Sequence, residues 1–354
     1  KQGTTGPMNT KDLNALGIPA QADMHHALWL GLQLMIASNC DRRKVYDWIF
    51  RLFRRQHKDK FISSFGKLGL TGLPDAVACA RYHVMANSIG GVPVEYLAES
   101  DTKAWVRFRY PRWMYLGATI CGIPVEVSRG FLDGWYAENG VSLNNPRLGF
   151  VCVSEDMTGE FGLCGYFKEF DHDLMASERL QFANERPPLF HQEDQPTLPA
   201  GIWSDERLQK ANRNYAMDFV RNGIIELHGV IGDSQTKKLA GRAARLIGLQ
   251  YFYQTRALIG TEDGDLASAG DYLSRMFAGL GDKSVVQLTG NTLRIVHSGL
   301  RITQGLDAAE RVAVLTVWKE LWLGALASFQ RMKHAEVEIR ADSLVWTITE
   351  APSP

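Results

Sequence analysis

The sequence lacks the features by which several large classes of protein are recognised. Basic and acidic residues number 39 each, so no net charge attracts the chain to nucleic acid or to an anionic membrane. No apolar run approaches the roughly 18 residues that a membrane span needs. The first residues, 1–7, also lack the apolar core of a signal peptide. We therefore expect a cytoplasmic protein that binds neither nucleic acid nor membranes.

Cofactor motifs are also missing. The sequence contains no P-loop, Rossmann glycine fingerprint, Gly-x-Ser-x-Gly elbow or zinc-finger spacing. Its five cysteines form no framework, which predicts reduced thiols. We expect no cofactor. A metal is compatible with the Cys, His and carboxylate content, but the spacing of these residues does not support one. The expected partner is a small-molecule substrate, and a homodimer is left open.

What the chain does contain is enough sequence for about two domains. Its 354 residues are 45% hydrophobic, which is typical of a globular protein. Residues 1–22 are predicted to form a loose arm, and 23–175 a first folded unit. Residues 176–204 hold four prolines and little periodicity, which predicts a linker. A second unit is predicted over 205–350.

The second unit repeats the first at an offset of 190 residues. Leu68–Pro111 lies over Leu258–Arg301 without gaps and with seven identities. The predicted helix, glycine break and strand pair also coincide in the two copies. The sequence therefore predicts an α+β fold of two tandem units, each with helices packed on a mostly antiparallel sheet. The second copy lacks counterparts of Cys121, Asp133 and Cys164, so we expect chemistry in the first unit.

Three short motifs of the first unit resemble a known family. They are Cys121-Gly122-Ile123-Pro124, then Gly130-Phe131-Leu132-Asp133-Gly134-Trp135, and then Gly159-Glu160-Phe161-Gly162-Leu163-Cys164-Gly165-Tyr166-Phe167. Their order resembles that in the L-2-amino-thiazoline-4-carboxylic acid hydrolases and in the related 4-vinyl reductase small-molecule-binding domain. The resemblance implies a small-molecule pocket between helices and sheet, and chemistry that opens a small C–N heterocycle.

Four residues are candidates for catalysis. Asp133 falls near the apolar side of its helix, where an unpaired acid costs free energy, so it is a candidate general base. His83, in mid-helix beside a tyrosine, is a candidate acid–base group. Cys164 and Cys121 are candidate pocket thiols. Each also has a plainer interpretation: a buried cysteine packs as a small hydrophobe, Asp133 could face solvent, and His83 could be a satisfied core or surface residue.

Five further residues are candidates for substrate binding. Arg107 and Arg109 share one face of a predicted strand, from which a guanidinium could hold a carboxylate through two hydrogen bonds. Trp113, Trp135 and Tyr166 suit the aromatic lining of a pocket, although surface arginines and core aromatics are the commoner roles. Together the sequence predicts a hydrolase or lyase for a cyclic or aromatic carboxylate. The alternatives are a non-catalytic sensor or carrier of small molecules, and a scaffold that binds a partner.

Overall fold

The fold of the chain divides into two compact units. A computed structural model describes residues 10–110, 116–156 and 160–350, with side chains described from residue 15. One unit is Ile36–Asn212, and the other combines Lys1–Met35 with Arg213–Pro354. Both boundaries fall inside long helices, α1 (Thr10–Asn39) and α7 (Asp205–Ile259). Helix α7 is interrupted at Gly232, whose φ of 80° is not helical.

The unit Ile36–Asn212 places helices on one face of a five-stranded sheet. Helix α2 begins where the side chain of Asp41 accepts a hydrogen bond from the backbone N–H of Lys44, a typical N-cap. Its buried residues Val45, Ile49 and Leu52 follow helical spacing and form the face that packs inward. The elements are α2 (Arg42–Lys60), α3 (Phe65–Leu68), α4 (Asp75–Ile89), β1 (Val94–Ser100), β2 (Lys103–Phe108), α5 (Val125–Gly134), α6 (Asn139–Ser142), β3 (Leu148–Ser154), β4 (Cys164–Glu169) and β5 (Leu180–Phe182).

This sheet has the order β1-β2-β4-β3-β5, antiparallel except for the β3–β5 pair. Arg107 of β2 lies opposite Cys164 of β4. Phe167 of β4 stacks on His83 of α4, so it lies on the helix-covered face. Successive side chains of a strand point to opposite faces. Cys164 and Tyr166 therefore lie on the other face, where they pack with Trp105.

The second unit repeats this element order. Its sheet has the order β6-β7-β9-β8 and is antiparallel throughout, matching β1-β2-β4-β3. Its elements after α7 are α8 (Leu266–Leu280), β6 (Lys283–Thr289), β7 (Thr292–Ser298), α9 (Ala308–Ala327), β8 (Lys333–Ile339) and β9 (Ser343–Glu350). The predicted α+β fold of two units, each with helices on a mostly antiparallel sheet, is confirmed.

Glycines allow a close helix crossing in both units. A Cβ on Gly134 of α5 would lie 2.5 Å from the backbone oxygen of Phe50 in α2. Gly324, at the offset of 190, approaches the backbone of Arg245 in α7 more closely still. Because any side chain would push these helices apart, the glycine recurs at this position for reasons of packing.

The predicted segment boundaries are wrong in three places. Residues 10–22 are not a loose arm, since they belong to α1; residues 1–9 lie outside the described part. Residues 23–35 group with the second unit, not the first. Residues 176–204 belong to the unit Ile36–Asn212.

The predicted linker, residues 176–204, forms hydrogen bonds with strands on both sides of the sheet, β3 and β1. Strand β5 adds to β3. At the other edge the side-chain amide of Gln195 donates to the backbone oxygen of Tyr96 at 2.7 Å and accepts from its N–H at 2.9 Å. The prolines of this segment suggested a linker, but hydrogen bonds from its other residues bind it to the sheet. Among the described residues, no helix has the length and apolarity to span a membrane.

Candidate functional site

The titratable group best suited to chemistry near neutral pH is Asp156, the second residue after β3. Its side chain is only 7% exposed. Ser128 donates a hydrogen bond of 2.6 Å to Oδ2, and the hydroxyl of Tyr110 donates to Oδ1. Burial raises the pKa of Asp156 to about 7, because removal from water disfavours the charged form.

Three elements bring this cluster together. Tyr110 follows the end of β2, Asp156 follows the end of β3, and Ser128 lies in the first half of α5. The ring of Tyr110 packs on Gly162, where a Cβ would lie 2.7 Å from a ring carbon. Gly162 has a φ of 69°, a conformation that favours glycine. Glycine at this position therefore lets the tyrosine reach the carboxyl.

The residue before Asp156, Glu155, forms an ion pair. Arg129, one residue after Ser128, binds Glu155 with two hydrogen bonds of 3.0 and 3.3 Å. Tyr110 is 37% exposed, so the cluster reaches the surface through its ring. A carboxyl that is half protonated near pH 7 can both donate and accept a proton. Strongly shifted carboxyls of this kind concentrate at active sites.

Two predicted binding residues lie at the same end of the sheet. Arg107 and Arg109 both approach Glu95, at 3.7 and 3.5 Å. Arg107 also donates to the backbone oxygen of Phe161 at 3.1 Å. Within β2, Arg107 lies on the face opposite Phe108, the face of Trp105 and Cys164, whereas Tyr110, which follows the strand, reaches the Asp156 cluster. Two guanidiniums thus share one carboxylate, that of Glu95.

Cys164 faces the same side as Arg107 but is closed to solvent. It is 1% exposed, and burial raises its pKa to about 12. A thiol with this pKa is a poor nucleophile near neutral pH. Cys121 is exposed instead, on the 3-10 helix Gly117–Gly122. The two predicted pocket thiols therefore differ in exposure: Cys164 is buried and Cys121 is exposed.

His83 is sealed inside an aromatic core. Its ring stacks on Phe167 with 5° between the planes and lies 3.9 Å from the ring of Tyr136, centroid to centroid. Asn139 donates to its Nε2 at 3.1 Å. Burial, and next the nearby imidazole of His57, hold the pKa of His83 well below its usual value. These contacts give the neutral imidazole a structural role in the core, and no catalytic role is needed to explain its presence.

Asn139 also touches a second buried imidazole. Burial, and next the charge of Arg54, lower the pKa of His57 to about 4, against the opposing effect of the Asn139 side chain. The Nε2 of His57 and the Oδ1 of Asn139 nevertheless lack the geometry of a formed hydrogen bond. Cys79, one turn before His83, is also enclosed, and burial raises the pKa of its thiol. This Cys–His–Asn grouping, which the sequence analysis missed, has no exposed thiol.

The remaining predicted site residues have structural contacts. Asp133 accepts a hydrogen bond of 2.5 Å from Tyr46, and burial raises its pKa. The indole of Trp135 packs edge-on against His57 at 5.6 Å. The hydroxyl of Tyr166 donates to Glu185 at 2.6 Å. Trp113 lies outside the described residues.

The second unit holds a buried pair that the sequence analysis also missed. Nε2 of His297 lies 2.8 Å from Oδ2 of Asp282, and both side chains are fully buried. The ring of His297 stacks on Phe277 at 3.6 Å. His297 follows Leu293 and Ile295 on the inward-facing side of β7. A polar residue in this apolar series was the sequence signal that could have revealed the buried pair. The second copy is therefore not purely apolar.

Within the described part of the chain, no three His, Cys, Asp or Glu side chains are placed to hold a metal ion. Comparisons with protein-family models, with curated proteins and with solved structures found no match.

Proposed function

We propose that this protein is a small-molecule enzyme, a hydrolase or lyase that acts on a cyclic or aromatic carboxylate through acid–base chemistry at Asp156. The observation that carries the proposal is a carboxyl 7% exposed, with a pKa raised to about 7 and held by two hydroxyls. The motif resemblance supports ring opening at a C–N bond. Asp156 takes the acid–base role that the sequence assigned to Asp133 or His83.

The proposed roles follow from the contacts. Asp156 in its ionised form takes a proton from the attacking water or from the substrate carbon, and its protonated form returns a proton to the departing nitrogen. Ser128 fixes the orientation of the carboxyl. Tyr110 connects the carboxyl to the surface. Arg109, whose side chain is 51% exposed, pairs with Glu95 beside Arg107 and is assigned no role at Asp156.

A substrate panel tests the proposal. Small heterocyclic carboxylates with a C–N bond in the ring would be incubated with the wild-type protein and with Asp156→Asn. Loss of a positioned acid–base group typically lowers the rate by about 10² to 10⁴-fold, and we expect a loss in this range. Asp101→Asn, at an exposed position between β1 and β2, is the matched control. Asp133→Asn separates the two assignments: if it abolishes turnover while Asp156→Asn does not, the sequence-based assignment stands.

A second measurement needs no substrate. Carboxyl infrared difference spectra of the wild-type protein minus Asp156→Asn, recorded from about pH 3 to about pH 9, isolate the titration of this one group. We expect a midpoint near pH 7, because burial raises the pKa to about that value. A midpoint near 4, the ordinary value for aspartate, would remove the basis of the proposal.

A further inference from the structure

A surface cavity of about 270 Å³ lies at the start of β3. Asp156 follows the other end of that strand. Leu148 and Leu174 give the cavity an apolar floor, and Val141 lies at its rim. The seven residues of β3 span roughly 20 Å at about 3.3 Å each. The cavity is therefore separate from the proposed acid–base site, and what it binds does not depend on that proposal.

Arg179 is the charged side chain that lines this cavity. Its guanidinium lies 3.6 Å from Oε1 of Glu138, too far for a hydrogen bond. The other oxygen of Glu138 lies 3.1 Å from Arg54. One carboxylate thus serves two guanidiniums, and the closer pairing is with Arg54. Arg179 keeps donors that an incoming anion could use.

Most residues that line the cavity are apolar or carry a side-chain amide. Besides the residues named above it includes Gly140, Pro146 and the two asparagines Asn144 and Asn145. The amide of Asn145 already donates to Asp75 at 2.9 Å, whereas Asn144 is exposed at the rim. A ligand with one carboxylate would meet Arg179 through charge-assisted hydrogen bonds. Its apolar body would cover the leucines.

We infer that the cavity at Arg179 binds a small monocarboxylate with a compact apolar body. The volume is near the lower end of ligand pockets, which begin at about 300 Å³, so the ligand has about the size of a single substituted ring. Glu138 supplies one negative charge to two guanidinium groups, those of Arg54 and Arg179. The bound carboxylate supplies the second negative charge.

The experiment titrates the full-length protein with benzoate by calorimetry or by NMR. Benzamide is the neutral ligand of matched shape, and inorganic phosphate is the anion without an apolar body. Arg179→Gln removes the guanidinium. Arg147→Gln is the matched control, because Arg147 is another half-exposed arginine of the same region that pairs with Glu169 at 3.8 Å and lies outside the lining.

We expect benzoate to bind the wild-type protein and Arg147→Gln equally, and Arg179→Gln at least about tenfold more weakly, since hydrogen bonds to a charged group contribute about that factor. Glu138→Gln should tighten benzoate binding by freeing Arg179. Benzamide and phosphate should both bind more weakly than benzoate.

Several results would overturn the inference. Equal benzoate affinity in Arg179→Gln would show that the arginine does not contribute to binding. Absence of saturable benzoate binding at millimolar concentration would show that the cavity is not a carboxylate site. Equal affinity for phosphate would reduce it to a general anion site. If thermal unfolding shows that Arg179→Gln does not fold, the benzoate–benzamide ratio in the wild type and the Glu138→Gln titration decide instead. Asp156→Asn should bind benzoate as the wild type does, so failure here and failure of the acid–base proposal are distinguishable.

Discussion

Ser128 donates a hydrogen bond of 2.6 Å to Oδ2 of Asp156, which ties helix α5 to the residue that follows strand β3. This contact is within one unit of the chain and involves a carboxyl whose pKa is raised to about 7. It links the proposed chemistry to the stability of the fold, because a raised pKa makes the free energy of unfolding depend on pH.

Asp156 should make the protein less stable as the pH rises from about 4 to about 7. In this window the folded state binds the proton of Asp156 and the unfolded state does not, so the free energy of unfolding falls with pH. The total is on the order of 4 kcal/mol for a pKa raised from the ordinary aspartate value of 3.8 to about 7.

Urea unfolding of the wild type, Asp156→Asn and the exposed control Asp101→Asn at several pH values checks this expectation. The curve for Asp156→Asn should lack the decline that the wild type and the control share in that window. Parallel curves for all three proteins would contradict the pKa assignment.

His25 should stay neutral, with its proton on Nδ1, down to about pH 5. Its Nδ1 lies 2.8 Å from the backbone oxygen of Gln21, and Trp318 donates to its Nε2 at 3.1 Å. Because an indole can only donate, Nε2 must be the acceptor. Burial lowers the pKa of His25 to about 4, so the stability that its neutral form contributes is lost as the pH falls from about 6.5 to about 4.

Nitrogen NMR of the labelled imidazoles tests this tautomer directly, with the exposed His334 as a reference signal in the same spectra. A His25 resonance that reports a proton on Nε2, or that titrates near pH 6.5, would contradict the geometry.

Removing the carboxylate of Asp282 should destabilise the second unit strongly. Asp282 holds His297 with one oxygen at 2.8 Å and the backbone N–H of Arg301 with the other at 2.9 Å. Asp282→Ala leaves the imidazole and the backbone N–H without their acceptor, and each unsatisfied buried group typically costs about 1 to 3 kcal/mol.

The control is Asp342→Ala, since Asp342 is an almost fully exposed acid 3.6 Å from Arg311. Exposed pairs contribute about 0 to 1 kcal/mol. Equal destabilisation of the two variants in urea unfolding would mean that the buried pair does not stabilise the fold.

Gly134→Ala should lower the free energy of unfolding by roughly 1 to 3 kcal/mol, the usual cost of overpacking. The new Cβ would lie 2.5 Å from the backbone oxygen of Phe50, so α2 and α5 would have to separate. Gly66→Ala is the matched helical control, because nothing lies within 4 Å of its added Cβ. Alanine is favoured over glycine in a helix, so this control should be neutral or stabilising. Equal effects of the two substitutions would contradict the close helix crossing.

Local patterns predicted much of the fold and little of the site. Periods of 3.6 and 2 residues, with glycine at breaks, are properties of short segments, and they predicted many helices and strands of both copies but not the long helix α7 or strand β5. The candidate site depends on pairings between segments. Ser128 and Tyr110 meet Asp156 across separations of 28 and 46 residues, and neither pairing leaves a local pattern. Asp133 was predicted to be catalytic partly because the second copy lacks a counterpart. In the structure its carboxyl accepts a hydrogen bond from Tyr46.

The sequence by itself determined the α+β class, the element order and the internal repeat, because these follow from local periodicity and from the recurrence of that periodicity along the chain. Tertiary structure decided the environment of each titratable group. Strand alternation points Cys164 away from the face of Phe167, on which His83 of α4 packs, and burial closes both residues to solvent. Burial also raised the pKa of Asp156, since desolvation depends on neighbours that are distant in sequence. Residues 23–35 joined the second unit for the same reason: their packing partners lie beyond residue 212.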